Sequence, residues 1–165
     1  MKLIPLLLAF LSMSTISLSQ KPSTDTVLVI SGEVTTPLEL TMADLMKLPH
    51  KIVRGLDHDR HEYDFEGVDI SRLLSLAGVR FADTLKGTQF ASSLLVVRAK
   101  DNYQAVFTLA ELDPTNSDNQ NILAYRQDGK PLGLKDGLLR FIALGDKRHI
   151  RWVRQVQSFI VQQIK

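Results

Sequence analysis

Two histidines three positions apart stand out among the residues that could do chemistry. His58 and His61 lie in a polar run with Asp57, Asp59 and Glu62 beside them. Imidazole and carboxylate groups together can bind zinc and other divalent metals. The chain lacks the His-Glu-x-x-His motif of metalloproteases. The segment is therefore either a metal-binding loop, which a zinc hydrolase would complete with a third ligand, or a solvated turn between strands. The turn is favoured.

Positive charge gathers near the carboxyl end of the chain. The basic residues there are Arg140, Lys147, Arg148, His149, Arg151 and Arg154. Guanidinium groups that converge on one pocket would bind a phosphate, sulfate or carboxylate group. Basic side chains also protect exposed strand edges from pairing, and the sequence leaves both interpretations open. Trp152, inside this cluster, is expected to be a partly buried anchor rather than a stacking platform for a ligand.

A third candidate is the segment Asp101-Asn102-Tyr103. It could direct a carboxylate and a phenol into a cleft, or it could simply be a turn that opens a strand. The chain has no Gly-x-Ser-x-Gly motif, no phosphate-binding glycine-rich loop with its lysine and no dinucleotide fingerprint. These residues alone therefore do not identify a reaction.

The composition is that of an ordinary globular protein and excludes several classes of function. The 165 residues are 44% hydrophobic and 23% charged, with a formal net charge of +2. Such a balance gives no electrostatic case for nucleic-acid binding. The chain contains no cysteine, which excludes a thiol nucleophile, a thiolate metal ligand and an iron–sulfur cluster. The length suits one domain with its own hydrophobic core.

The first residues are typical of an export signal. Lys2 supplies a short positive region, residues 3–11 form an apolar stretch, and Ser17-Leu18-Ser19 resembles a cleavage site. The apolar stretch is shorter than the roughly 20 residues of a transmembrane helix, and no later segment could span a membrane. We expect residues 1–19 to be a cleaved signal peptide and residues 20–165 to be one periplasmic or secreted domain. An uncleaved amphipathic or buried helix is the alternative.

The elements that must position the candidate residues are mostly strands. Runs rich in β-branched and aromatic residues predict strands at 27–34, 37–40, 50–56, 62–66, 94–99, 103–108, 122–127, 138–144 and 159–164. Thr41 and Asp69 are expected to cap two short helices, and Thr108 with Glu111 predicts a third helical turn. The pattern predicts a single β-rich α+β domain with short helices between the strands.

Several short motifs follow one another in a characteristic order. They are Ser31-Gly32-Glu33-Val34, Phe65-Glu66-Gly67-Val68, Leu123-Ala124-Tyr125, Asp128-Gly129-Lys130-Pro131-Leu132, Gly137-Leu138-Leu139-Arg140 and Arg151-Trp152. Together they resemble the molybdopterin-binding domain of the sulfite oxidase family. The resemblance runs from about Val27 to Val161 and implies the family's mixed α+β fold, with molybdopterin as the cofactor.

The resemblance also implies roles for individual residues. Arg140 matches a family arginine associated with the anionic end of the cofactor. Arg151 matches the basic residue that precedes a tryptophan on the cofactor side. Asp101 and Tyr103 are weaker matches in the segment that leads to the central strands. The cofactor-binding residues expected in this chain are Arg140, Arg151, Lys147, Arg148, Asp101 and Tyr103.

The chain departs from the family at the metal. In the family's oxidoreductases a cysteine thiolate binds molybdenum, and the corresponding segment here, residues 54–61, contains no cysteine. One hypothesis is therefore an exported, non-catalytic module that binds a small anionic ligand or cofactor, with a possible redox or protein partner. The alternative is an active molybdenum–pterin oxidoreductase in which Asp57, His58 or Asp59 replaces the thiolate. The missing ligand favours the binding module, because a shared fold does not by itself transfer function.

Overall fold

The computed structural model describes residues 25–81 and 91–164. The strands are β1 (Thr26–Gly32), β2 (Leu38–Thr41), β3 (His50–Leu56), β4 (Glu62–Asp69), β5 (Ser93–Ala99), β6 (Gln104–Thr108), β7 (Asn121–Gln127), β8 (Lys130–Pro131), β9 (Arg140–Ala143) and β10 (Val156–Gln163). The helices are α1 (Met42–Lys47), α2 (Ile70–Leu76) and α3 (Leu109–Leu112), with a 3₁₀ turn η1 (His149–Arg151). The expected signal peptide lies outside the described residues. Within the described ranges, no helix has the length and apolar character to cross a membrane.

The strands form two sheets. The first has the order β2-β1-β10-β5-β6, in which β1 and β10 run parallel and the other neighbours run antiparallel. The second has the order β3-β4-β7-β8, and β9 also pairs with β7, all antiparallel. The predicted β-rich α+β domain with mixed strand pairing is confirmed.

Local side-chain signals begin the helices where the sequence predicts. Thr41 caps α1 and Thr108 caps α3, each in a reciprocal capping box with the acidic residue three positions later. Asp69 caps α2 by accepting a hydrogen bond from the backbone N–H of Ser71 at 2.9 Å. These caps satisfy backbone donors that the first helical turn leaves unpaired.

The prediction of one long strand at residues 138–144 was wrong in its extent. Strand β9 covers only residues 140–143, and Leu138 is exposed. The preceding segment instead makes a tight turn, in which the N–H groups of Asp136 and Gly137 both donate to the carbonyl of Gly133. Gly137 has a φ of 73°, a conformation that favours glycine and ends extended pairing.

One hydrophobic core joins the two sheets. Phe141 of β9 stacks on Phe107 of β6 with ring centres 4.4 Å apart, and its ring meets Phe159 of β10 at 6.1 Å. All four residues of β9 are buried. Arg140 begins this strand and is only 1% exposed. A charge buried to that degree requires a partner, and the fold supplies one from a distant turn.

Candidate functional site

A buried ion pair lies at the centre of the candidate site. The guanidinium of Arg140 donates two hydrogen bonds to the carboxylate of Asp57, from Nη1 to Oδ2 at 2.7 Å and from Nη2 to Oδ1 at 2.8 Å. Asp57 opens the turn between β3 and β4, 83 positions before Arg140 in sequence. The pairing of β4 with β7, and of β7 with β9, brings the two together. This two-bond arrangement is the geometry that Arg and carboxylate prefer.

Two aromatic rings lie close to the Arg140 guanidinium. The guanidinium carbon of Arg140 lies 5.5 Å from the ring centre of Phe65 and 5.4 Å from that of Trp152. Trp152 is 7% exposed, and its Nε1–H donates to the carbonyl of Ala143 at 2.8 Å. It is therefore the buried anchor that the sequence predicts. The Nε of Arg140 is buried without a hydrogen-bond partner.

The surroundings of Asp57 keep its carboxyl group ionised. Burial by itself raises the pKa of Asp57, but the hydrogen bonds from Arg140 and from the His58 backbone N–H, together with the Arg140 charge, lower it to about 2. A second carboxylate, Asp136, lies 3.4 Å from Nη1 of Arg140 and 3.0 Å from Nε of Arg154. Two arginines and two carboxylates thus form one connected network, in which Arg140 is buried and Arg154 is 38% exposed.

An open cleft lies over this network. It has a volume of about 340 Å³ and is lined by His58, Asp101, Tyr103, His149, Ile150, Trp152 and Arg154. The turn after β3, the turn before β6 and the η1 segment all contribute side chains to it. Three candidate features that are far apart in the sequence therefore meet in one place.

The two histidines of the cleft face each other. The ring centres of His58 and His149 are 5.6 Å apart, with an angle of 50° between the ring planes. The His149 ring also meets the Trp152 ring, edge to face, at 4.3 Å. His61 does not join them, since its Nδ1 lies 3.1 Å from the Asp59 carbonyl and its side chain is exposed. The polar turn favoured by the sequence is present, but the partner of His58 is His149 rather than His61.

The Asp101 and Tyr103 side chains both line this cleft. The backbone N–H of Tyr103 donates to Oδ1 of Asp101 at 3.0 Å, and the phenol donates to the Ile150 carbonyl at 2.5 Å. The segment is thus a turn that opens β6 and, at the same time, part of a cleft. Its expected role in cofactor binding stays a prediction.

The other expected cofactor-binding residues do not line the cleft. Arg151 donates to Asp146 from Nε at 2.9 Å and to Glu111 from Nη1 at 3.1 Å. Its guanidinium carbon lies 4.4 Å from the Phe107 ring centre. The Asp146 hydrogen bonds and the Glu111 charge raise the pKa of Arg151 above its ordinary value. Lys147 and Arg148 are exposed. The basic residues near the carboxyl end therefore do not converge on one pocket. Among the arginines of this cluster, Arg154 is the one that lines the cleft.

Sequence reasoning missed two relationships that define the site. Nothing in the spacing of the residues indicates that Asp57 pairs with Arg140 or that His58 meets His149. The one available signal was the arginine within an otherwise apolar predicted strand, because a buried guanidinium needs a carboxylate. That signal predicts a partner without saying which one.

Two other clefts lie away from this site. The larger, about 730 Å³, lies along β1 and β10 and includes the exposed side chains of Leu134 and Leu138. The smaller, about 210 Å³, contains the ion pair of Lys51 with Asp69. Neither contains a histidine or an arginine, so the cleft above Arg140 holds the stronger candidates for chemistry.

Comparisons with known proteins agree with this architecture. Residues 16–163 match the family model described as the oxidoreductase molybdopterin binding domain. The structure is similar to that of the sulfane dehydrogenase SoxCD from Paracoccus pantotrophus, with a TM-score of 0.64 and 20% sequence identity, covering 81% of this chain. It spans 37% of the length of that chain, and the likeness concerns the fold. No curated protein matches the sequence. Because the family model covers most of the sequence, the chain belongs to the oxidoreductase molybdopterin-binding domain family.

Proposed function

We propose that this protein is a ligand-binding module that keeps the family fold and does not carry out molybdenum–pterin redox chemistry. One observation carries this proposal. Residues 54–61 are the segment where the family resemblance places a metal-binding cysteine, and here that segment supplies Asp57. Asp57 forms the buried ion pair with Arg140, which is the arginine that the resemblance assigns to the anionic end of the cofactor.

Arg140 and Arg151, the two arginines that the family resemblance assigns to the cofactor, are already paired with carboxylates and do not fit molybdopterin in that role. The cofactor ends in an anionic group and therefore needs cations that are free to meet it. Asp57 neutralises Arg140, and Asp146 with Glu111 neutralises Arg151. The chain has no thiolate to bind molybdenum. Across residues 25–81 and 91–164, no three His, Asp or Glu side chains form a metal-holding group.

The ligand proposed for the cleft is a small anion. Arg154 uses Nε for Asp136, and within the described residues its two Nη atoms have no hydrogen-bond partner. His58 and His149 add ring N–H donors on the same cleft. Guanidinium and imidazole donors together suit a carboxylate, sulfate or phosphate group. The cleft volume of about 340 Å³ restricts the ligand to a small molecule.

Molybdenum and pterin analysis of protein purified from its native host tests the proposal. We expect the purified protein to contain neither molybdenum nor pterin at a stoichiometric level. The conditions are ones in which a control molybdoenzyme from the same cells is fully loaded with both. Stoichiometric molybdenum, together with the fluorescent oxidation product of the pterin, would overturn the proposal. That result would instead support the active oxidoreductase with a metal ligand other than cysteine.

The anion site has its own test. Replacing Arg154 by glutamine removes the guanidinium and is expected to weaken binding at least about tenfold, because a hydrogen bond to a charged group contributes roughly 1.5–3 kcal/mol. Calorimetric titration of metal-free protein with sulfate, phosphate and acetate at low salt measures the change. The matched control is Arg98→Gln, an exposed arginine on β5, and it should stay within about twofold of wild type. Equal weakening in both variants, or no binding to wild type at millimolar concentration, would refute the anion site.

We also propose that the protein is exported and that cleavage follows Ser19. The positive, apolar and small-residue regions of residues 1–19 support this. Mass spectrometry of the protein from its native host is expected to find Gln20 as the first residue. Introducing an arginine at Leu7 should interrupt the apolar stretch and leave the precursor unprocessed in the cytoplasm. Recovery of wild-type protein that still begins at Met1 would contradict the proposal.

A further inference from the structure

We infer that His58 and His149 form a binding site for a divalent transition-metal ion, with Cu²⁺ bound most tightly. The inference uses the same two rings that the proposed anion would contact, but it rests on the cleft geometry and does not require the anion. Two imidazoles that bind one metal ion at about 2.0–2.1 Å place their ring centres about 4.5 Å apart when the nitrogen–metal–nitrogen angle is 90° and about 6.4 Å apart when it is 180°. The observed separation is 5.6 Å. This separation falls inside that range, so the two imidazoles are close enough to bind one metal ion together.

Both rings are available for coordination. Neither imidazole makes a hydrogen bond or an ion pair with another side chain in the described part of the structure. The remaining histidines differ, because His50 lies 3.8 Å from Glu66 and His61 lies beside Asp59. Unprotonated ring nitrogens are the usual protein ligands of zinc, copper and nickel. The cleft thus presents two such ligands to solvent.

The buried network below the cleft positions both histidines. The backbone N–H of His58 donates to Oδ1 of Asp57 at 2.7 Å, and Arg140 holds that carboxylate. The His149 ring lies against Trp152, and the same Arg140 guanidinium lies over the Trp152 ring. The Asp57–Arg140 ion pair therefore helps to hold the His58 backbone in place. Its arginine also lies against Trp152, the ring that supports His149. Such support reduces the reorganisation that metal binding would require.

Two protein ligands leave positions on the metal for solvent or an exogenous anion. Asp57 is committed to Arg140, and no third acidic or histidine side chain in residues 25–81 and 91–164 completes a group with these two. The site is therefore open and exchangeable rather than a closed structural centre. Cu²⁺ stands highest in the usual affinity order for nitrogen and oxygen ligands, above Zn²⁺ and Ni²⁺.

Titration of the untagged, metal-free protein with CuCl₂ tests the inference. We expect one equivalent to bind to wild type, and electron paramagnetic resonance to show coupling from two imidazole nitrogens. His58→Gln and His149→Gln should each weaken binding at least about tenfold, a loss of about 1.4 kcal/mol. The matched control is His61→Gln, on the same turn as His58, which should bind within about twofold of wild type. No binding to wild type, or equal losses in all three variants, would overturn the inference.

Chemical modification of the histidines in the wild-type protein provides a second test, which does not depend on whether the variants fold. Diethylpyrocarbonate modifies accessible imidazoles, and mass spectrometry identifies each modified residue. We expect Cu²⁺ to protect His58 and His149 and to leave His50 and His61 reactive. Protection of all four histidines, or of none, would also overturn the inference. These measurements add only a chloride salt and none of the sulfate, phosphate or acetate that is titrated in the Arg154 experiment, so each proposal can fail alone.

Discussion

Replacing Asp57 by asparagine is expected to lower the free energy of unfolding by about 3 kcal/mol. The variant keeps the shape of the side chain but leaves the Arg140 guanidinium, which is 1% exposed, without its main counter-charge. Removing one partner of a buried ion pair typically costs about 3–5 kcal/mol. Asp136 remains 3.4 Å from Arg140 and still provides a negative charge. We therefore expect a loss of stability near the lower end of this range. Urea unfolding at neutral pH measures it.

Two further variants show whether the buried charge is the cause. Asp64→Asn breaks the exposed pair of Arg54 with Asp64 and should cost no more than about 1 kcal/mol. The double variant Asp57→Leu/Arg140→Met removes both buried charges and should recover much of the stability, since apolar replacements of buried pairs are often tolerated. A loss from Asp64→Asn as large as that from Asp57→Asn would contradict the explanation.

The same ion pair makes stability depend on acid pH. The folded-state pKa of Asp57 is about 2, below the value of about 3.9 for an unfolded aspartate. The stabilisation is therefore complete above pH 4 and is lost as the pH falls from about 4 to about 2. Asp57→Asn lacks this titration, so its difference from wild type should shrink over that range. A difference that stays constant between pH 5 and pH 2.5 would contradict the assignment.

Replacing Trp152 by alanine is expected to destabilise the protein by about 3–5 kcal/mol and to weaken Cu²⁺ binding in the cleft. The ring is 7% exposed, and both the Arg140 guanidinium and the His149 ring lie close to it. Loss of a buried tryptophan leaves a cavity that the surroundings fill only in part. His149 loses its aromatic support, so Cu²⁺ affinity should fall even where the variant remains folded. Thermal and urea unfolding, with the copper titration, measure the two effects.

Trp152→Phe is the matched control for the ring. It keeps an aromatic surface under His149 and removes the hydrogen bond to the Ala143 carbonyl. A single neutral hydrogen bond contributes about 1 kcal/mol, so the phenylalanine variant should lose much less stability than the alanine variant. It should also retain most of the Cu²⁺ affinity. Equal losses in the two variants would show that the hydrogen bond, rather than the ring, determines the effect.

The helices and strands that depend on residues close together in the sequence were predicted more accurately than those that depend on distant residues. The caps at Thr41 and Thr108 depend on side chains three positions apart, and their signals are visible in the sequence. The extent of β9 depends instead on the turn at Gly137 and on pairing with β7. The two-residue strand β8 and the η1 turn are too short to carry a hydrophobic period. They form because their neighbours are already in place.

The sequence by itself determined the absence of a thiolate, the strand-rich α+β class, the helix caps and the family. Each of these depends on composition, on neighbours within a few positions or on the order of short motifs. Only the tertiary structure decided that Asp57 neutralises Arg140 and that His58 meets His149. These pairs join the turn after β3 to β9 and η1, and the register of β4, β7 and β9 sets their separation. Residue spacing contains no comparable information, because opposite charges and imidazoles far apart in the chain can pair in many ways until the sheet selects one.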